Sequence, residues 1–185
     1  LTIAQKANCI GIVFWVGDPS KDDKALQIDH PSCTHGLVVS LAEFKEMMWQ
    51  ENFRSISEWL ANQTELSNKY VSLIVEQDGI NLNKILGYNH TCVLDKFNDD
   101  EENSNYLANS AAKIKEFRDS EKGVTPSNTS NWYFPSVKEL SLLCSGEVNI
   151  TWKGSYTTEI YNFINGQLSQ IPEAIQLTSS GSYSS

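Results

Sequence analysis

Two apolar runs near the start of the chain set its frame. Residues 10–16 form an unbroken apolar stretch that stops at Gly17-Asp18-Pro19, the pattern of a strand covered on both faces. Residues 37–41 form a second such run. The polar segment 18–35 joins them, so the spacing predicts a wide antiparallel hairpin. Its loop is longer than a hairpin needs, and long loops are often functional. A second landmark lies at 130–140. Trp132, Tyr133 and Phe134 favour a pleated strand, and Pro135 ends any ladder. Ser136 and Glu139 have capping-box spacing. Val137, Leu140, Leu143 and Cys144 then share one helical face, and Gly146 supplies the stop.

Between these landmarks the pattern is weaker. Phe44, Met47, Met48 and Trp49 form one apolar group, and Ile56, Trp59 and Leu60 another. Residues 70–75 have strand composition, while Asp78-Gly79 and Gly87-Tyr88-Asn89 read as turns. An acidic run at 98–103 precedes a helix expected over 104–118, with Leu107, Ala111, Ile114 and Phe117 on one face. Residues 148–152 read as a short extended piece. A helix over 157–170 follows, carrying Ile160, Phe163, Ile164, Leu168 and Ile171, and Pro172 closes it. These elements predict an α+β domain over 1–177 and a polar, flexible tail over 178–185.

Charge narrows the partners. A formal net charge of −9 argues against nucleic acid or an anionic membrane surface, since both require clustered Lys and Arg. No apolar run approaches the roughly 18 residues of a membrane span. The opening Leu1-Thr2-Ile3-Ala4-Gln5-Lys6 lacks a basic-then-apolar leader, as expected of a mature or excised domain. Cys9, Cys33, Cys92 and Cys144 are too widely spaced for a zinc or thioredoxin-type motif. They suit either two disulfides or four free thiols, and their spacing does not choose.

Taken in order, four segments resemble a known family. Residues 11–16 and 35–41 are similar to its opening hairpin, and 85–91 to its Gly-Tyr-x-Asn-Thr segment. Residues 104–117 are similar to its Ala-Ala-Lys helix, and 131–140 to its Trp-Tyr-Leu-Pro-Ser signature. The family is the Lcl C-terminal-like domain of bacterial surface proteins, in the variant found beside Bacteroides-type fimbrillins. The resemblance implies a C-type-lectin-like fold, with two to three helices around a small twisted antiparallel sheet. It implies an extracellular protein of the bacterial surface, outer membrane or fimbrium, binding a surface glycan, a protein ligand or pilus subunits. It implies no catalytic residue and no cofactor. The family continues past its last helix with a strand that pairs with the opening one, whereas this chain ends at Ser185. A bare opening strand would accept a strand from another subunit. The Glu-Pro-Asn, Gln-Pro-Asp and Trp-Asn-Asp triplets of calcium-dependent lectins are missing.

Candidate chemistry is sparse. Asp99, Asp100, Glu101 and Glu102 could supply oxygens to calcium, but the order of a calcium loop is absent, and a solvated helix start is the better reading. Cys33 with His30 or His35 is the thiol–imidazole combination worth naming for a secreted enzyme acting on carbohydrate or sulfated substrates, without a surrounding signature. For ligand binding the analogy favours the long loop and the irregular segment after it. The expected contact residues are Asp22, Asp23 and His30 with Trp49 and Trp59, whose rings would stack on a sugar or anchor a protein. The expected role is therefore adhesin-like binding, with a fibre assembly subunit or an enzyme as alternatives.

Overall fold

In a computed structural model that describes residues 1–44, 48–73, 82–146 and 158–177, the expected hairpin forms. Helix α1 (Ile3–Ala7), boxed by Thr2 and Gln5, precedes strand β1 (Gly11–Val16). The loop contains a 3₁₀ turn and helix α2 (Lys24–Asp29), and leads to β2 (Gly36–Ser40). The strands pair antiparallel, with Gly11 opposite Ser40 and Val16 opposite Gly36. A bulge falls between Val13 and Trp15. It turns the neighbours Phe14 and Trp15 toward one cluster of Leu37, Ile85 and Leu142, which strict alternation would forbid.

Six more helices follow: α3 (Ile56–Ala61), α4 (Thr64–Lys69), α5 (Gly87–Asp99), α6 (Asn109–Arg118), α7 (Val137–Cys144) and α8 (Thr158–Leu168). The class is α+β as expected, but eight α-helices among the described residues exceed the two to three anticipated. Helices α2, α3 and α4 are six residues each, too short for a 3.6-residue period to show. The largest correction is α5, which begins where Gly87-Tyr88-Asn89 read as a turn. The acidic run consequently sits at the end of α5 and in a 3₁₀ turn, and α6 starts at Asn109 rather than Ser104.

The landmark at 130–140 is half as expected. Ser136 and Glu139 form the capping box of α7, and Gly146 ends the run at φ 68°. Trp132–Phe134 have no strand partner among the described residues. Their backbone groups bond side chains instead: Arg118 Nε donates to the Trp132 carbonyl at 2.6 Å, and Phe134 N–H donates to Thr91 Oγ1 at 2.8 Å. The expected strand at 70–75 and the turn at 78–79 fall partly or wholly outside the described residues. So do the extended piece at 148–152 and the tail at 178–185.

Two further apolar clusters hold these elements. One joins α3, α5 and α6 through Trp59, Leu60, Val93, Leu94, Phe97 and Ala111, with Trp59 edge-on to Phe97 at 5.3 Å. The other packs Ile12, Phe14, Val39 and Leu41 of the hairpin region on Leu143, Ile164 and Leu168 of α7 and α8. Among the described residues, the hairpin thus packs on α7 and α8 by one face.

Candidate functional site: a groove beside the hairpin

The aromatic segment is positioned by the start of α5. Leu86 cannot cap that helix itself, and neighbouring elements do so. Asp23, the N-cap of α2, receives Leu26 N–H on one oxygen at 2.9 Å and Asn89 N–H on the other at 2.8 Å. Glu139 Oε2 receives Ser136 N–H at 2.7 Å and Gly87 N–H at 3.0 Å, while Oε1 accepts from the Tyr133 hydroxyl at 2.8 Å. Two buried carboxylates thereby serve the free N–H groups and the positive end of α5. Burial pushes both carboxyls above their ordinary range, against the pull of these hydrogen bonds. Burial likewise holds the Tyr133 hydroxyl well above its usual value. Only glycine fits at 87, because a Cβ there would overlap Glu139, the Tyr133 ring and the Phe134 carbonyl.

This fixed corner forms one wall of a groove. Trp132 lies over Gly11, where a Cβ would meet its ring at 3.1 Å. The ring contacts Phe44–Phe117 at 5.5 Å, Phe117–Trp132 at 6.1 Å and Trp49–Phe134 at 5.7 Å extend that wall. The opposite wall is the outer hairpin face. Val13 and Val38 are register partners, yet they stay 58% and 44% exposed. Between the walls is a cavity of about 1280 Å³. None of its described lining residues is a Lys or Arg. Trp132 Nε1 and Ser110 Oγ are buried in this region without hydrogen-bond partners. A mostly apolar groove bordered by a two-stranded sheet can take apolar side chains, and the sheet can take a further strand.

The residues expected to bind ligand are scattered. Trp59 is a core residue, 5% exposed, with its indole N–H on Asp100 Oδ2 at 2.9 Å. Asp22 accepts from Ile85 N–H at 3.0 Å, and Asp23 serves the helix start described above. His30 meets Tyr88 edge-on at 5.3 Å, beside the Asp29–Lys69 pair. Of the five, only Trp49 lines the groove. Asp100, from the acidic run, caps its own 3₁₀ turn, and no metal-holding cluster occurs among the described residues. All four cysteines are free thiols. Burial raises the Cys33 thiol above its usual value, which keeps it protonated at neutral pH and works against a nucleophilic role. Sequence reasoning missed Val13, Val38 and Ser110. A signal was present, since a run apolar at every position needs cover on both faces.

With this geometry in view, the chain can be set beside known proteins. No protein-family model matches it. A Bacteroides ovatus protein bearing the provisional name fimbrium tip subunit Fim1C is 34% identical over 161 residues, covering 75% of this chain. The crystal structure of a fimbrial protein from Bacteroides ovatus superposes with a TM-score of 0.66 at 27% identity, covering 94% of this chain. The chain spans only 28% of the first protein and 36% of the second. It is therefore similar in sequence and fold to part of two larger fimbrial proteins.

Proposed function

We propose that the chain is part of a subunit of a bacterial surface fibre, displayed outside the cell, and that its hairpin engages a neighbouring subunit. The single observation that carries this reading is the hairpin itself. Among the described residues its sheet has two strands, one face packed on α7 and α8 and the other keeping Val13 and Val38 exposed, and no further strand covers its outer edges. An added strand would pair with one outer edge, and its side chains would enter the groove. The two fimbrial relatives support the fibre setting, and the order of the sequence motifs supports a lectin-like scaffold. An adhesin of glycans draws less support, because Trp59, Asp22 and Asp23 are bound into the fold. The assembly role involves no catalytic step.

Overlapping peptides spanning the Bacteroides ovatus fimbrial protein test the reading. At least one strand-forming peptide is expected to raise the thermal midpoint, and to lose that effect against Val13→Lys with Val38→Lys. No stabilising peptide, or one indifferent to both lysines, would overturn strand addition.

A further inference from the structure

The segment from Met48 to Arg54 has no helix or strand of its own, yet it is tightly held. Gln50 pairs with Ala108, and its side chain donates to the Tyr106 carbonyl at 2.7 Å. Asn52 Nδ2 donates to the Asn105 carbonyl at 3.0 Å, and Arg54 Nη1 to the Glu102 carbonyl at 3.1 Å. Asn109 N–H donates to the Trp49 carbonyl at 3.0 Å. Every one of these bonds ties the segment to 102–109, so its backbone is fixed before any partner arrives. What it presents outward is apolar: Phe53 is 86% exposed and Met48 64% exposed, with Trp49 and Leu107 partly exposed alongside. A pinned loop bearing several large exposed apolar side chains is the form of a contact site, since little ordering entropy is lost on binding.

The rim decides what fits. Glu51, Glu101 and Glu102 are exposed around this face. Arg54, the cation among them, is engaged by Glu102 at 3.8 Å, by the Glu102 carbonyl and by Asn103 Oδ1. The rim is thus net acidic, on a chain of net charge −9. That combination repels an anionic lipid surface and complements lysines and arginines. We infer that the 48–54 loop, with Leu107 beside it, is a preformed contact face for a protein partner that presents apolar side chains among Lys and Arg. This face meets the groove at Met48 and Trp49, which line both, but Phe53, Glu51 and Leu107 lie outside the groove lining, and the inference does not depend on strand addition there.

Two synthetic peptides probe it: Lys-Arg-Trp-Leu-Phe-Arg-Lys and its acidic counterpart Glu-Asp-Trp-Leu-Phe-Asp-Glu. Vesicles of phosphatidylcholine with phosphatidylserine test a membrane. At low salt the basic peptide is expected to bind about tenfold or more tighter than the acidic one, and the gap to shrink toward 1 M salt. Phe53→Ser with Met48→Ser should weaken the basic peptide about tenfold, as removal of apolar anchors does. Glu51→Lys with Glu101→Lys should reverse the preference between the peptides. The control Glu65→Lys with Glu121→Lys changes net charge equally and should leave the preference intact. Equal loss in that control would reduce the effect to bulk charge and overturn the inference. Binding untouched by the Phe53 and Met48 changes, or vesicle binding that outcompetes the peptide, would also overturn it.

Discussion

The start of α5 and the hairpin groove are neighbours with opposite habits. Around the start of α5 most buried polar groups are matched, His90 Nε2 being the exception among the described residues. Asp23, Glu139, Ser136 and Thr91 each serve a main-chain group of another element, and the Asn89 side chain exchanges two hydrogen bonds of 2.9 Å with Val71. Across the groove the matching stops. Among the described residues Trp132 Nε1 and Ser110 Oγ have no partner, and Val13 and Val38 stay exposed along the groove. Buried polar groups are normally paired, and strands apolar on both faces are normally covered. The main-chain groups of the helix start are therefore served within the chain, while the groove has the form of an incomplete interface.

The largest expected effects lie at the helix start. Glu139→Ala would strand the N–H groups of Gly87 and Ser136 and the Tyr133 hydroxyl in a buried site, at about 3–5 kcal/mol by analogy with other broken buried networks. Gly87→Ala would drive a methyl into the same carboxylate and should cost about 2–4 kcal/mol. Urea midpoints measure both. A loss below about 1 kcal/mol for either would show that the corner relaxes freely, and would erase the contrast with the groove.

This corner also marks where sequence reading succeeds and fails. Ser136 and Glu139 were legible as a capping box because both partners lie within four residues. Helix α5 was not, because its caps come from Asp23 and Glu139, more than fifty residues away in either direction. With Leu86 before it and Gly-Tyr-Asn opening it, the local signals all point to a turn. The hairpin was legible from its apolar runs, whereas its bulge was not, since one extra residue leaves no mark on an all-apolar strand. Trp49, picked for its irregular surroundings, lines the groove. The same criterion picked Trp59, which Phe97 and Asp100 take into the core from distant parts of the chain.

A smaller effect should appear on acidification. His90 on α5 is largely buried, and desolvation lowers its imidazole to about 4, despite a hydrogen bond to the Ser72 backbone. The folded state therefore holds this ring neutral while the unfolded chain, near 6.5, takes up a proton. Its contribution is present above about pH 6.5 and is lost as pH falls toward 4, amounting to about 2–3 kcal/mol over that window. Asp23 and Glu139, whose carboxyls are raised, act in the opposite sense. Their contribution is full below the ordinary carboxylate range and declines as pH rises through their elevated values. Urea midpoints of the wild type and of His90→Gln, followed from pH 7.5 to about pH 4, separate the two trends. The substitution should flatten the acid limb alone, and an unchanged limb would place the ring in water.

The smallest effect belongs to the groove, and its smallness is the informative part. Val13 and Val38 face each other on the open side of the hairpin, so lysines there can extend into solvent without leaving a cavity. Two like charges directly across a ladder are mildly unfavourable. The pair Val13→Lys with Val38→Lys is therefore expected to shift stability by no more than about 1 kcal/mol, in the range of ordinary surface changes. The same lysines would point into the groove that the side chains of an added edge strand would enter. A loss comparable to Glu139→Ala would mean that the hairpin face is already covered within the chain, and the groove would then be core. Near-neutral stability combined with loss of peptide binding would identify the groove as a surface whose cover comes from another molecule.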